Sequence, residues 1–336
     1  MKRITMIGCL LLAAVNIFAQ PDWTKKATKS VFTLKTFTAD GLMIASTNGF
    51  YTGTNGEAVS NFTPFKGAAS AIIIDAQGKE FEVISILGAN DIYDVVKFRV
   101  NNPKSQPLSI STTIAPIGSI SWLLPYHELK NLSSGPVRKA ETISGEYGYY
   151  TIAMPMTENL VSCPLMNNTG EVIGMMQQPA STKDTLSYAV DARFVDSLRI
   201  TGLTYNDATF RLTQIRKELP SDLKEANLVL YLSASQMDSI SYVALIEDFI
   251  RQFPNVPDGY TARALQEAEG NNFAIAEKDM QQAIKCATNK DDIHFTFARM
   301  IYNKVIYQSD KPYDAWNLDK ALTEIQAANS INPQPS

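Results

Sequence analysis

The chain has 336 residues, 45% of them hydrophobic and 19% charged, with a formal net charge of −4. That length allows two or three domains with cores of their own, and the composition is globular rather than disordered. The acidic balance, with no basic run longer than Lys25-Lys26, argues against an electrostatic grip on nucleic acid or anionic lipid.

Residues 1–19 read as a secretory signal peptide. Lys2 and Arg3 form its positive end, Ile7 to Val15 its apolar stretch and Ala19 its cleavage point. The apolar run is too short to span a bilayer, and no later segment is long enough. The expectation is therefore a secreted, periplasmic chain with no transmembrane segment once mature. Cys9 leaves with the leader. Cys163 and Cys286 fall in different expected domains, so free thiols are expected rather than a disulfide. Two histidines and no Cys/His cluster give no basis for a metal site, and no cofactor is expected.

From Ser30 the texture is short β-branched and aromatic runs broken by Gly, Asn and Asp, as in an all-β barrel. Val31 to Phe37 alternates as a strand does. Asn55-Gly56 signals a hairpin turn, and Ile72 to Asp75 and Phe81 to Ile86 flank a second turn at Gln77-Gly78. A second set follows at Pro107 to Ile110, Gly118 to Pro125, Gly135 to Val137, Tyr149 to Met154 and Ser187 to Val190.

After Thr204 the hydrophobic period lengthens to about 3.6. Asp207 to Glu218 reads as a helix stopped by Pro220. Asp222 to Leu232 reads as another, with Asp222 and Glu225 spaced as a capping pair. In Ile240 to Phe253 the residues Val243, Ile246, Ile250 and Phe253 share a face. Pro257 to Ala287 then places Tyr260, Phe273, Ala276, Met280 and Ala283 on alternating large and small packing positions around a turn at Gly270 to Asn272. Asp291 to Pro333 repeats the plan with Leu318, Ala321, Ile325, Ala328 and Pro333 and an enlarged turn. These two units resemble tetratricopeptide repeats, in which small residues let paired helices approach and each unit needs a neighbour. No polar capping helix follows the second unit.

The stretch Glu158 to Gly174, ENLVSCPLMNNTGEVIG, resembles the nucleophile loop of trypsin-like serine peptidases of the HtrA/Deg type. Pro164, Leu165, Asn167, Gly170, Val172, Ile173 and Gly174 match that pattern. Upstream, Gly56, Val59, Asn61 and Ala68 match the family's histidine segment, and Gly88 to Val100 its aspartate segment. The resemblance covers Ser30 to about Leu203. It implies a multidomain all-β plus all-α chain: two six-stranded β-barrels (trypsin-like, 20–203), connecting helices (204–255) and a tetratricopeptide-like helical domain (256–336).

The resemblance also places the triad positions, and they are degenerate. Thr63 stands for the histidine, Asp94 for the aspartate and Val161 for the serine, while Asn159 replaces an oxyanion-hole glycine. A hydroxyl does not accept a proton near neutral pH, and valine has no nucleophilic atom. Without an imidazole to orient, Asp94 is expected to accept hydrogen bonds from the Thr63 hydroxyl or nearby backbone N–H groups. The remaining route to catalysis is a serine- or cysteine-type endopeptidase using Cys163 or Ser162, with His127 as base. Side-chain alternation favours Cys163, two residues beyond Val161, over Ser162.

The expectation is a binding module that receives a protein or extended peptide in the barrel cleft by strand addition, and a second on the concave helical face. A structural envelope component with no ligand in either groove is the third possibility.

Overall fold

The computed structural model describes residues 21–127, 132–179, 181 and 184–333; the leader read at residues 1–19 lies outside them. The described chain divides into two units: one running up to Ile84 and then Asn90–Leu198, the other Ser85–Ala89 with Arg199 onwards.

In the first unit a short helix α1 (Thr24–Ala27) leads into β1 (Val31–Phe37), β2 (Met43–Tyr51), β3 (Glu57–Ser60), β4 (Ser70–Ile74), β5 (Glu80–Asn90) and β6 (Val95–Val100). These close into an antiparallel barrel in the order β1-β2-β3-β6-β5-β4. Then β7 (Ile120–Leu123), β8 (Ser134–Ile143), β9 (Tyr147–Ile152), β10 (Pro164–Met166), β11 (Val172–Met176) and β12 (Ser187–Asp191) close a second. Its order, β7-β8-β9-β12-β11-β10, is the same walk six strands later. Two such barrels in tandem are the architecture of the chymotrypsin fold.

Alternation builds the barrel interiors. In β1, Phe32 and Leu34 are fully buried, and Phe32 meets Tyr51 and Phe98 edge-on at 5.0 and 6.2 Å between ring centroids. Burying each such side chain contributes roughly 1.5–3 kcal/mol. Gly56 closes the β2–β3 turn at φ +77, where a Cβ would lie 2.0 Å from the Val100 carbonyl oxygen. A further apolar cluster joins the barrels, with Val59 and Val95 of the first against Leu124, Met166 and Phe194 of the second. It fixes the walls of the groove between them.

The second unit holds α2 (Ala208–Arg211), α3 (Leu223–Ser233), α4 (Ser239–Gln252), α5 (Pro257–Glu269), α6 (Phe273–Cys286), α7 (Asp291–Tyr307) and α8 (Leu318–Ile331). Side-chain caps start three of them: Asp222, Asp238 and Asn317 accept from the N–H of Glu225, Ser241 and Lys320. Helices α5 and α6 form one hairpin and α7 and α8 another, with fully buried Ala264, Ala276 and Ala283 allowing close approach in the first. The long loop before α8 is packed: Trp316 is buried against Phe273 and Phe297, and Glu277 accepts from Tyr313 Oη and Trp316 Nε1.

Three helical expectations need correction. The helix expected over Asp207–Glu218 stops at Arg211. Residues 216–218 are extended instead, because Ile86 donates to the Arg216 carbonyl (2.8 Å) and accepts from Glu218 N–H (2.9 Å). Glu225 does not reach back to Asp222; its carboxylate accepts from Gly202 N–H. The buried face of α4 is Tyr242, Leu245, Ile246 and Phe249, while Val243 is exposed.

Among the described residues no helix is long and apolar enough to cross a membrane, and no cluster of His, Cys, Asp and Glu could hold a metal ion.

Candidate functional site

Asp94 follows β5 in a turn, held at φ +49. Its carboxylate accepts from the Thr63 backbone N–H at 2.6 Å and from Asn61 Nδ2 at 3.4 Å, and its carbonyl accepts from Phe62 N–H at 3.3 Å. The Thr63 hydroxyl takes no part in these contacts. It is the main chain of the Thr63–Phe65 turn that Asp94 grips, leaving the Thr63 side chain exposed.

Asn61, at the end of β3, is the centre of the network. Its carboxamide oxygen accepts from Ser162 Oγ at 2.8 Å and from Thr47 Oγ1 at 3.0 Å. Its backbone N–H donates to Ser162 Oγ at 2.9 Å. A chain therefore runs from the Ser162 hydroxyl through the Asn61 amide to the Asp94 carboxylate. The middle member is a carboxamide, which hydrogen-bonds both ends and does not take up a proton at physiological pH. Asn48 braces the other side: its Nδ2 donates to the carbonyls of Asn159 (2.7 Å) and Val161 (3.0 Å).

The loop across the groove is turned rather than extended. Residues Glu158–Leu160 form a 3₁₀ turn, and Ser162 sits at φ +63. This reverses the expected order of the two candidates. With one left-handed residue in the path, alternation fails, and Ser162 rather than Cys163 faces Asn61 and Asp94. Val161 and Cys163 turn instead into the second-barrel core with Leu165, Met154 and Ile173. The Cys163 thiol is fully buried, and that burial pushes its pKa up to about 12. Ser162 is fully buried as well.

Four backbone donors of this loop are also spent. Leu160, Val161, Ser162 and Cys163 donate their N–H groups to the carbonyls of Thr157, Glu158, Met176 and Leu160. An oxyanion hole needs N–H groups left open toward the cleft; residues 160 to 163 offer none, while the N–H of Asn159, at the expected oxyanion-hole position, donates to no carbonyl among the described residues. His127 is exposed at φ +68 with its ring edge-on to Tyr126, 3.8 Å between centroids. No hydrogen bond joins it to Ser162 or Cys163 among the described residues.

A second concave site lies within the helical unit, a cavity of about 460 Å³ between α3, α4, α5 and α7. Leu230, Tyr231, Tyr242 and Leu265 make its wall mostly apolar, and Tyr231 is 79% exposed. Asn227 and Thr261 also line this cavity; their Oδ1 and Oγ1 are buried without a hydrogen-bond partner among the described residues.

The sequence singled out Thr63, Asp94, Val161, Ser162, Cys163 and His127. The fold gathers Thr63, Asp94 and Ser162 around Asn61, and sends Val161 and Cys163 inward and His127 outward. The bridging roles of Asn61 and Asn48 were not anticipated, because a buried amide is set by its tertiary partners.

No family model matches the chain, and no curated protein matches it. Among solved structures, the chain is similar to the Rv3671c protease of M. tuberculosis in its active form, at 18% identity over 54% of this chain and 86% of that one, with a TM-score of 0.45. It is similar also to the serine endoprotease from Yersinia pestis, at 15% identity over 52% of this chain and 62% of that one, with a TM-score of 0.44.

Proposed function

We propose that this chain is a secreted, catalytically incomplete relative of trypsin-like peptidases that binds a protein or peptide without cutting it. The observation that carries the reading is the closed polar network at Asn61. The serine ends on an amide that cannot act as base, and the N–H groups of residues 160–163 are committed to carbonyls. Each loss removes orders of magnitude in rate. Strand addition at a barrel groove needs only backbone hydrogen bonds and side-chain pockets, so binding survives the loss of chemistry.

The helical unit, tetratricopeptide-like in its paired hairpins, supplies the second site. An apolar wall with two orphaned polar atoms suits a segment that brings its own donors and an aromatic or aliphatic anchor. Two sites on one chain raise avidity when both engage one partner.

The test uses the purified mature chain with a fluorogenic protein substrate, a fluorophosphonate probe and a fluorescent peptide library. Background turnover, no labelling and saturable peptide binding are expected. Turnover or labelling that disappears in Ser162→Ala or Cys163→Ala would overturn the reading in favour of a peptidase. An empty peptide screen together with empty pull-downs would favour a structural envelope component. Export is tested separately by sequencing the amino terminus of the secreted form, expected to begin just after Ala19.

A further inference from the structure

Away from the groove, the first barrel carries a cavity of about 590 Å³ that peptide binding does not use. Separate segments meet there: the β4–β5 turn, the end of β2 and the loop after β6, with Lys29 ahead of β1. Lys29, Lys79 and Lys104 are far apart in sequence, where each reads as solvated surface. The fold brings all three to the lining of one cavity, and none forms an ion pair among the described residues.

The single carboxylate at this site is already engaged. Asp75 Oδ1 accepts from the N–H groups of Gln77 and Lys79, both at 2.9 Å, as the clamp of the turn. Three exposed lysines thus line the site beside one carboxylate, in a chain whose net charge is −4. At the wall stands Tyr51, only 2% exposed, whose hydroxyl accepts from Asn102 Nδ2 at 3.1 Å. Its own proton has no acceptor among the described residues. Burial raises its pKa, so it remains a donor at neutral pH. Gln77, Asn101 and Gln106 add amide groups, and Phe81 an aromatic face with Lys79 Nζ 4.5 Å from its centroid.

We infer that this cavity binds a hydroxylated organic anion, a sugar acid or sugar phosphate. The ammonium groups take the anionic group, and the amides and the Tyr51 hydroxyl take the ring hydroxyls. A bare inorganic anion would leave most of the volume and the amides unused. A neutral sugar would leave the lysines without a counter-charge. The volume falls within the roughly 300–1,000 Å³ of small-ligand sites. The site does not rest on the peptide-binding reading, since it shares no residue with the Asn61 network.

The experiment is calorimetric titration of the full chain with glucuronate, glucose 6-phosphate, glucose and inorganic phosphate at constant ionic strength. Saturable one-site binding is expected for glucuronate or glucose 6-phosphate, at least tenfold tighter than for glucose or phosphate. Whether the carboxylate or the phosphate binds more tightly identifies the anionic group. The double variant Lys79→Gln/Lys104→Gln should weaken binding at least tenfold, and Tyr51→Phe by a smaller factor, with an unchanged far-ultraviolet spectrum. No saturable binding, equal affinity for all four probes, or full affinity in the lysine variant would overturn the proposal.

Discussion

The Ser162 hydroxyl accepts from the Asn61 backbone N–H at 2.9 Å and donates to the Asn61 side-chain carbonyl at 2.8 Å, across a separation of 101 residues. One residue closes the first barrel's β3 and the other the loop before β10, so this doubled bond pins the groove from within.

Ser162→Ala should lower stability by about 1–3 kcal/mol, because it strands the buried Asn61 backbone donor, while the amide oxygen keeps its bond from Thr47. Asn61→Ala removes only the side-chain half. In a double-mutant cycle followed by urea denaturation the pair should couple by about 0.5–1.5 kcal/mol. Strict additivity would mean that the bond contributes nothing in solution.

The two thiols should differ sharply in reactivity. Cys163 is fully buried with its pKa raised to about 12, whereas Cys286 is half-buried. A disulfide reagent at mildly alkaline pH should modify Cys286 in the native protein and reach Cys163 only after denaturant is added. Rapid native labelling of Cys163, read by peptide mass, would contradict its place in the core.

Glycine substitutions should separate strain from collision. Gly78 has φ +79 with open space around it, so Gly78→Ala should cost only about 1–2 kcal/mol. Gly56→Ala adds to a similar φ a contact of 2.0 Å with the Val100 carbonyl oxygen, and should cost on the order of 3 kcal/mol or more. Thermal melts of the two variants provide the comparison.

The Lys217 contribution to stability should rise with pH on the alkaline side. Burial lowers the Lys217 pKa from its ordinary 10.5 to about 8, and Arg211 lowers it further in the same direction. Between those values the unfolded chain holds a proton that the folded chain has released, so raising the pH favours the folded form. The ammonium penalty is complete below about pH 8 and is relieved above it. The reading is the difference between wild type and Lys217→Met, because Cys163 and the buried tyrosines, raised above their ordinary values, give the opposite slope once their unfolded counterparts ionise, the thiol from about pH 8.5. Lys217→Met should flatten the rise in the helical far-ultraviolet signal under denaturant.

The fold was legible because its signals are local. Alternation in Val31–Phe37, the Asn55-Gly56 turn and the helical spacing of residues 257–287 each state their own geometry. What stayed hidden depends on distant partners. Residues 216–218 follow helical periodicity until Ile86 offers its backbone, and α4 carries apolar residues around enough of its circumference to allow two stripes. At the site, it was the resemblance that marked Thr63 and Val161 as the triad positions, and their residue types that raised the expectation of missing chemistry. The exchange of Ser162 for Cys163 turned on one left-handed residue, whose φ no alternation rule anticipates.

Within β5, residues Ser85–Ala89 group with the helices and the flanking residues with the barrel. The carboxy-terminal half is consequently no exchangeable cassette. Excising the chain after Leu198 would strip Ile86 of both Arg216 and Glu218, baring main-chain groups in the middle of a strand. A chain without that tail would need a rebuilt barrel stave.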